Sequence, residues 1–106
     1  MTLLPSLLFV EDDLELAKLI GDFLARNGFD VRHIDRGDEV EAAVAAAPPD
    51  IILLDIMLPG KDGLSICRDL RPSFTAPIIL LTSVGSDMNQ ILGLELGAND
   101  YVVKTT

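Results

Sequence analysis

The stretch that decides the fold is IILLDIMLPGKDG, Ile51 to Gly63, in which four consecutive large aliphatics deliver the chain to a lone carboxylate, Asp55. A short continuous apolar run reads as a strand buried on both faces, the habit of a central parallel strand. A charge at the end of such a strand is costly unless other groups are arranged around it.

Working outward, three more short apolar clusters read the same way: Leu7 to Val10, Ile78 to Leu81 and Tyr101 to Val103. Phe29 to Ile34 (FDVRHI) alternates apolar and polar residues instead, the pattern of an edge strand. Helical stripes separate the strands. One contains Leu16, Ala17, Ile20, Phe23 and Leu24 and stops at Asn27-Gly28; a second contains Val40, Ala43, Val44 and Ala47 and stops at Pro48-Pro49. A third is expected from about Gly63 to Arg71 and a fourth from about Ser86 to Leu96. Regular alternation of strand and helix predicts an α/β, doubly wound parallel sheet of flavodoxin-like type, with five strands in the order 2-1-3-4-5. In that order, ligands bind at the carboxyl ends of the first and third strands. No fifth helix follows the last strand before Thr106, so the sequence reads as one domain, residues 1–106, cut before its final helix or covered there by another chain.

Composition narrows the function. A net charge of −9 with only 8 Lys and Arg argues against a nucleic-acid backbone as direct ligand and suits a cation or a basic partner. No run approaches the roughly 20 apolar residues of a membrane span, and no signal peptide is recognisable, so a cytoplasmic protein is expected. A single cysteine, Cys67, excludes an internal disulfide and reads as a small apolar residue on a helix face.

The predicted topology gathers Glu11, Asp12 and Asp13 after strand one, Asp55 after strand three, Thr82 and Ser83 after strand four and Lys104 after strand five. Carboxylates brought within about 4–6 Å raise one another's pKa, which makes sense if a hard divalent cation neutralises them. Mg²⁺, which takes few carboxylates and keeps waters, fits better than Ca²⁺. Zinc would want His or Cys, and the only histidine, His33, lies on the edge strand and reads as solvated. A carboxylate beside Mg²⁺, a hydroxyl and an ammonium is the equipment for phosphoryl transfer to aspartate: Asp55 as nucleophile, Lys104 and the metal against charge on the phosphoryl oxygens, Thr82 binding one of them. Singly, each residue has an ordinary structural explanation as a turn, cap or solvated side chain.

The set FVEDD, LLDIMLPGKDG, PIILLTS and GANDYVVK resembles the receiver domain of two-component response regulators, over essentially the whole chain. The loop LPGKDG looks like that of the OmpR/PhoB class, where Pro59-Gly60 suits a tight turn and Gly63 opens the helix. The resemblance implies that Asp55 is the phosphoacceptor, fed by a sensor histidine kinase, and that Glu11 and Asp12 are the acid pair. Mg²⁺ would be held by these acids, Asp55 and the backbone carbonyl of Met57; Thr82 would be the switch hydroxyl, Lys104 the phosphate-binding lysine and Tyr101 the aromatic that turns inward. It further implies a homodimer through the face of the fourth helix and fifth strand, and a C-terminal winged-helix domain, outside this chain, that holds DNA.

Three departures stand out. Receivers usually follow the lysine with a cis proline, whereas Thr105 stands here, and a trans Lys104–Thr105 peptide is expected. The class often has an Asp-Arg pair at the start of the fourth helix, where this chain has Asn89 and Gln90; Met88 and Ile91 nearby read as core or rim packing. Met57 and Val84, beside the expected path of a hydrolytic water, cannot orient it, which implies slow self-dephosphorylation. The main alternative is a phosphatase of the haloacid dehalogenase type, but that chemistry wants a second acid two residues after the nucleophile, where Met57 stands. An FMN-binding flavodoxin lacks its phosphate loop here, and a pseudo-receiver would not keep every required residue type.

Overall fold

The structure, a computed structural model, describes residues 3–83 and 87–104. In chain order these form β1 (Ser6–Val10), α1 (Leu14–Arg26), β2 (Asp30–Ile34), a short 3-10 turn (Gly37–Glu39), α2 (Val40–Ala46), β3 (Ile51–Asp55), α3 (Gly63–Leu70), β4 (Ile78–Thr82), α4 (Asp87–Glu95) and β5 (Asp100–Val103). All neighbouring strands run parallel, in the order β2-β1-β3-β4-β5. The expected fold and strand order are therefore observed, with β2 at an edge.

The two-residue side-chain period explains why the central strands are continuously apolar. Leu8 and Val10 of β1, Ile52 and Leu54 of β3 and Ile78 and Leu80 of β4 share one core with Val40 and Val44 of α2 and Ile66, Cys67 and Leu70 of α3. The alternate residues Leu7, Phe9 and Leu81 face Ala17 of α1. Cys67 is fully buried, as a small apolar residue should be.

The helix ends follow local chemistry. Asp13 accepts from the N–H groups of Glu15 and Leu16 and caps α1. At the other end Asn27 Nδ2 donates to the Phe23 carbonyl. α2 stops one residue earlier than its apolar stripe, at Ala46, because Ala47 precedes Pro48 and is driven to extended backbone (φ −152°, ψ 92°). Met88 and Ile91 are 68% and 58% exposed, so of the core or rim packing expected for them on α4 the core is excluded. Gly93 is the residue of that helix that faces inward, so close to the sheet that a Cβ there would lie 2.3 Å from Leu80 Cδ1. The Lys104–Thr105 peptide and Val84 lie outside the described residues.

Candidate functional site

The site is assembled at the carboxyl edge of β1, β3, β4 and β5, and backbone geometry fixes its walls. Past the end of β3 the pairing continues, with Ile56 N–H donating to the Leu81 carbonyl at 3.2 Å. The chain then turns at Gly60, which has φ +85°, a conformation that suits glycine. Lys61, just beyond, ties the loop to both neighbouring helices through Glu41 of α2 and Asp69 of α3. At Gly63 the chain returns so close that its N–H donates to the Ile56 carbonyl at 2.8 Å, and a Cβ would sit 2.4 Å from the Asp55 carbonyl oxygen. Glycine at this position is what lets α3 begin against the strand end. On the far side, Lys104 N–H donates to the Thr82 carbonyl at 2.7 Å, so the backbone of β4 places the lysine.

Within these walls the structure brings together most of the predicted residues. Glu11 is fully buried, Asp55 is 4% exposed and Thr82 1% exposed, while Asp12 is exposed at the mouth. Carboxylate oxygens of Glu11, Asp12 and Asp55 all lie within 4.8 Å of one another. Lys104 Nζ donates to Asp55 Oδ2 at 3.0 Å and lies 2.8 Å from Glu11 Oε1. Asp55 Oδ1 accepts from Met57 N–H at 3.3 Å. The Met57 side chain, 69% exposed, points to solvent. Tyr101 is half-buried against the core on β5.

Two predicted side chains take no part. Asp13 spends its carboxylate capping α1, and Ser83 is exposed. Two contacts had not been anticipated. Gln90 Nε2 reaches from α4 to donate to Thr82 Oγ1 at 3.4 Å. His33 is exposed on the edge strand, as expected, and in addition its Nε2 lies 2.8 Å from the Glu11 carbonyl oxygen.

The electrostatics follow from burial. Glu11 is raised above its ordinary value of 4.5, first because burial penalises its charge and then because Asp55 adds negative potential. Lys104 and the Asp13 N–H, which donates to Glu11 Oε2 at 3.2 Å, offset only part of this. For Lys104, burial is the largest influence and pulls downward, but Glu11 and Asp55 together outweigh it and hold the ammonium above 10.5. Among the described residues, Glu11 Oε1 is the one buried side-chain polar atom with no aligned hydrogen bond. A buried carboxylate oxygen whose one close partner is the Lys104 ammonium, in a cluster of oxygen donors without His or Cys, fits a hard cation such as Mg²⁺.

The doubly wound sheet with an acidic cluster, a hydroxyl and a lysine at its carboxyl edge agrees with the family comparison: a model of the response regulator receiver domain matches residues 7–106, and the chain belongs to that family. Among curated proteins it is 54% identical over 101 residues to the transcriptional regulatory protein RstA of Escherichia coli K12, covering 95% of this chain and 42% of that protein. It is 43% identical over 100 residues to the transcriptional regulatory protein BaeR of E. coli O6:H1, covering 94% and 42%. Of solved structures, the BeF3-activated N-terminal receiver domain of Klebsiella pneumoniae RstA superposes with a TM-score of 0.90 at 54% identity, covering 95% of this chain and 86% of that one. The chain thus spans about two fifths of the curated relatives' length (42% in each).

Proposed function

We propose that this chain is the phosphorylation-controlled receiver of an OmpR/PhoB-class transcriptional regulator resembling RstA, and that Asp55 is its phosphoacceptor. The observation that carries this reading is the setting of Asp55. Its buried carboxylate has Lys104 on one oxygen and Glu11 and Asp12 within reach of a shared cation. A carboxylate oxygen of Asp55 attacks phosphorus, the N–P bond of a kinase phosphohistidine breaks, and the freed imidazole takes up a proton. The donor is a sensor histidine kinase of the RstB type.

Mg²⁺, held by Glu11, Asp12, Asp55 and the Met57 carbonyl, would supply positive charge against the phosphoryl oxygens. Lys104 supports the same oxygens from the other side. Thr82 then engages one of them through its hydroxyl, and Tyr101 moves into the space released. This is a bistable packing element biased by a charge change from one to roughly two negative charges. The exposed α4 residues Met88, Ile91 and Leu92, with Val102 and Val103 of β5, supply an apolar face for a homodimer. Dimerisation would orient a C-terminal winged-helix domain on DNA, and the whole would work in the cytoplasm. No helix among the described residues is long and apolar enough to cross a membrane. The chain is not an enzyme in the ordinary sense, since the only chemistry assigned to it is gain and loss of its own phosphoryl group. Nothing favours the phosphatase alternative, as Met57 stands where a second acid would be needed.

The test is intact-protein mass spectrometry after incubation with acetyl phosphate and Mg²⁺, beside Asp55→Ala. A gain of about 80 Da that requires both the metal and Asp55 is expected from one phosphoryl group. Labelling that persists in Asp55→Ala would place the acceptor elsewhere.

A further inference from the structure

His33 has no role in the chemistry above, yet its ring is tied to the residue that begins the acid pair. It pairs with Phe9 across the β1–β2 ladder, and the two rings lie 5.9 Å apart at 55°. From there Nε2 reaches the Glu11 carbonyl oxygen at 2.8 Å. The acceptor is a carbonyl, so Nε2 carries the proton and donates. The Glu11 N–H in turn donates to the Ile34 carbonyl at 3.1 Å. Both backbone groups of Glu11 are therefore held by the end of β2, one by main chain and one by the imidazole.

The next residues show what this achieves. Asp12 is exposed and carries the third carboxylate of the cluster, and Asp13 begins α1 as its cap. Between the end of β1 and the start of α1 the chain has only Glu11, Asp12 and Asp13 in which to aim two acids at one point. The peptide that joins Glu11 to Asp12 is the one whose carbonyl His33 holds. Its orientation decides where the Asp12 side chain projects.

We propose that His33 is a positioning residue: by donating from Nε2 to the Glu11 carbonyl it fixes the turn that presents Glu11 and Asp12 to a divalent cation. The inference rests on the reading of the acidic cluster as a Mg²⁺ site. His33 touches neither the cation nor the phosphoryl group, so its effect falls on cation affinity. Phosphorylation at saturating Mg²⁺ stays near the parental rate.

The experiment is Mg²⁺ titration of the protein by calorimetry, with acetyl phosphate kinetics as a function of Mg²⁺, on the parent chain, His33→Phe and His33→Gln. Phenylalanine keeps a ring for Phe9 and loses the donor; glutamine loses the ring and keeps an amide donor at similar reach. Loss of one hydrogen bond of this kind corresponds to an affinity about three- to tenfold weaker in His33→Phe, with recovery in His33→Gln. Amide hydrogen exchange without metal supplies a second readout, in which His33→Phe should speed exchange at Glu11 and Asp13. Equal Mg²⁺ affinity in the parent and His33→Phe would overturn the inference, as would weakening in His33→Gln alone, which would make the ring the important part. A parent chain that binds no Mg²⁺ would instead sink the cation-site reading itself.

Discussion

Replacing Lys104 by methionine tests the electrostatics of the site most directly. The ammonium lies 2.8 Å from Glu11 Oε1 and 3.0 Å from Asp55 Oδ2, and the side chains of these partners are 0% and 5% exposed. Removing one member of a buried ion pair costs about 3–5 kcal/mol, because the remaining charge is left uncompensated. The cost here belongs at the lower end, about 3 kcal/mol, for two reasons. The lysine is itself 20% exposed, and Glu11, whose pKa burial already raises, can take up a proton in response. At about 4–8 °C per kcal/mol for a domain of this size, melting should fall by about 12–24 °C in EDTA. Mg²⁺ should return much of that loss. A ligand at about 100 times its Kd stabilises the folded state by about 2.7 kcal/mol, and without the ammonium the cation no longer shares the carboxylates with a competitor. Thermal and urea melts of the parent and Lys104→Met in EDTA and in MgCl₂, with ionic strength matched by NaCl to remove screening effects, measure both quantities. Parental stability of the variant in EDTA would refute the ion-pair argument. Equal stabilisation of both proteins by Mg²⁺ would refute the idea that lysine and cation draw on the same oxygens.

The other predictions concern the same edge of the sheet. Because the folded-state pKa of Glu11 is raised above 4.5, its contribution to stability is fully present below 4.5 and is lost as pH rises through the folded-state value. Urea melts in EDTA should therefore show the stability of the parent falling relative to Glu11→Gln between pH 4 and pH 7, and a difference that does not change with pH would contradict this. Gly63→Ala forces a Cβ against the Asp55 carbonyl and the Ile56 Cα, at 2.4 and 2.8 Å, where only backbone could yield. It should destabilise by about 1–3 kcal/mol, as overpacking does, and slow labelling by acetyl phosphate; parental melting and labelling would show that α3 can retreat freely. The apolar Met57 side chain cannot orient a water, so the phosphorylated protein should keep its label for minutes or longer, and loss of about 80 Da within seconds by mass spectrometry would end that expectation.

The fold was legible because the quantities that decide it are periodic. Ile51 to Leu54, Ile78, Leu80 and Leu81 are apolar because alternate residues face α1 on one side and α2 and α3 on the other, while the half-buried Ile79 belongs to neither cluster. The alternation of Phe29 to Ile34 likewise marked the edge where β2 lies. Where boundaries slipped, a local rule competed with the pattern, as at Ala47, where the following proline overrides the apolar stripe.

The site was legible by a different route, since strand order alone carries Glu11, Asp55, Thr82 and Lys104 to one edge. It could not say which of three successive acids turns inward. Asp13 differs from Asp12 only in standing one residue before α1, and there the free N–H groups of Glu15 and Leu16 claim its carboxylate. The contacts of His33 and Gln90 were not legible for a related reason, because each acts across space on a single atom of another element. For His33 the signal was faint but present. A parallel register that pairs it with Phe9 sets it two residues short of Glu11, on the edge strand beside β1. A long donor side chain there is within reach of the first carbonyl beyond the ladder. Pairing register, more than residue type, thus links the strand pattern to the second layer of a site.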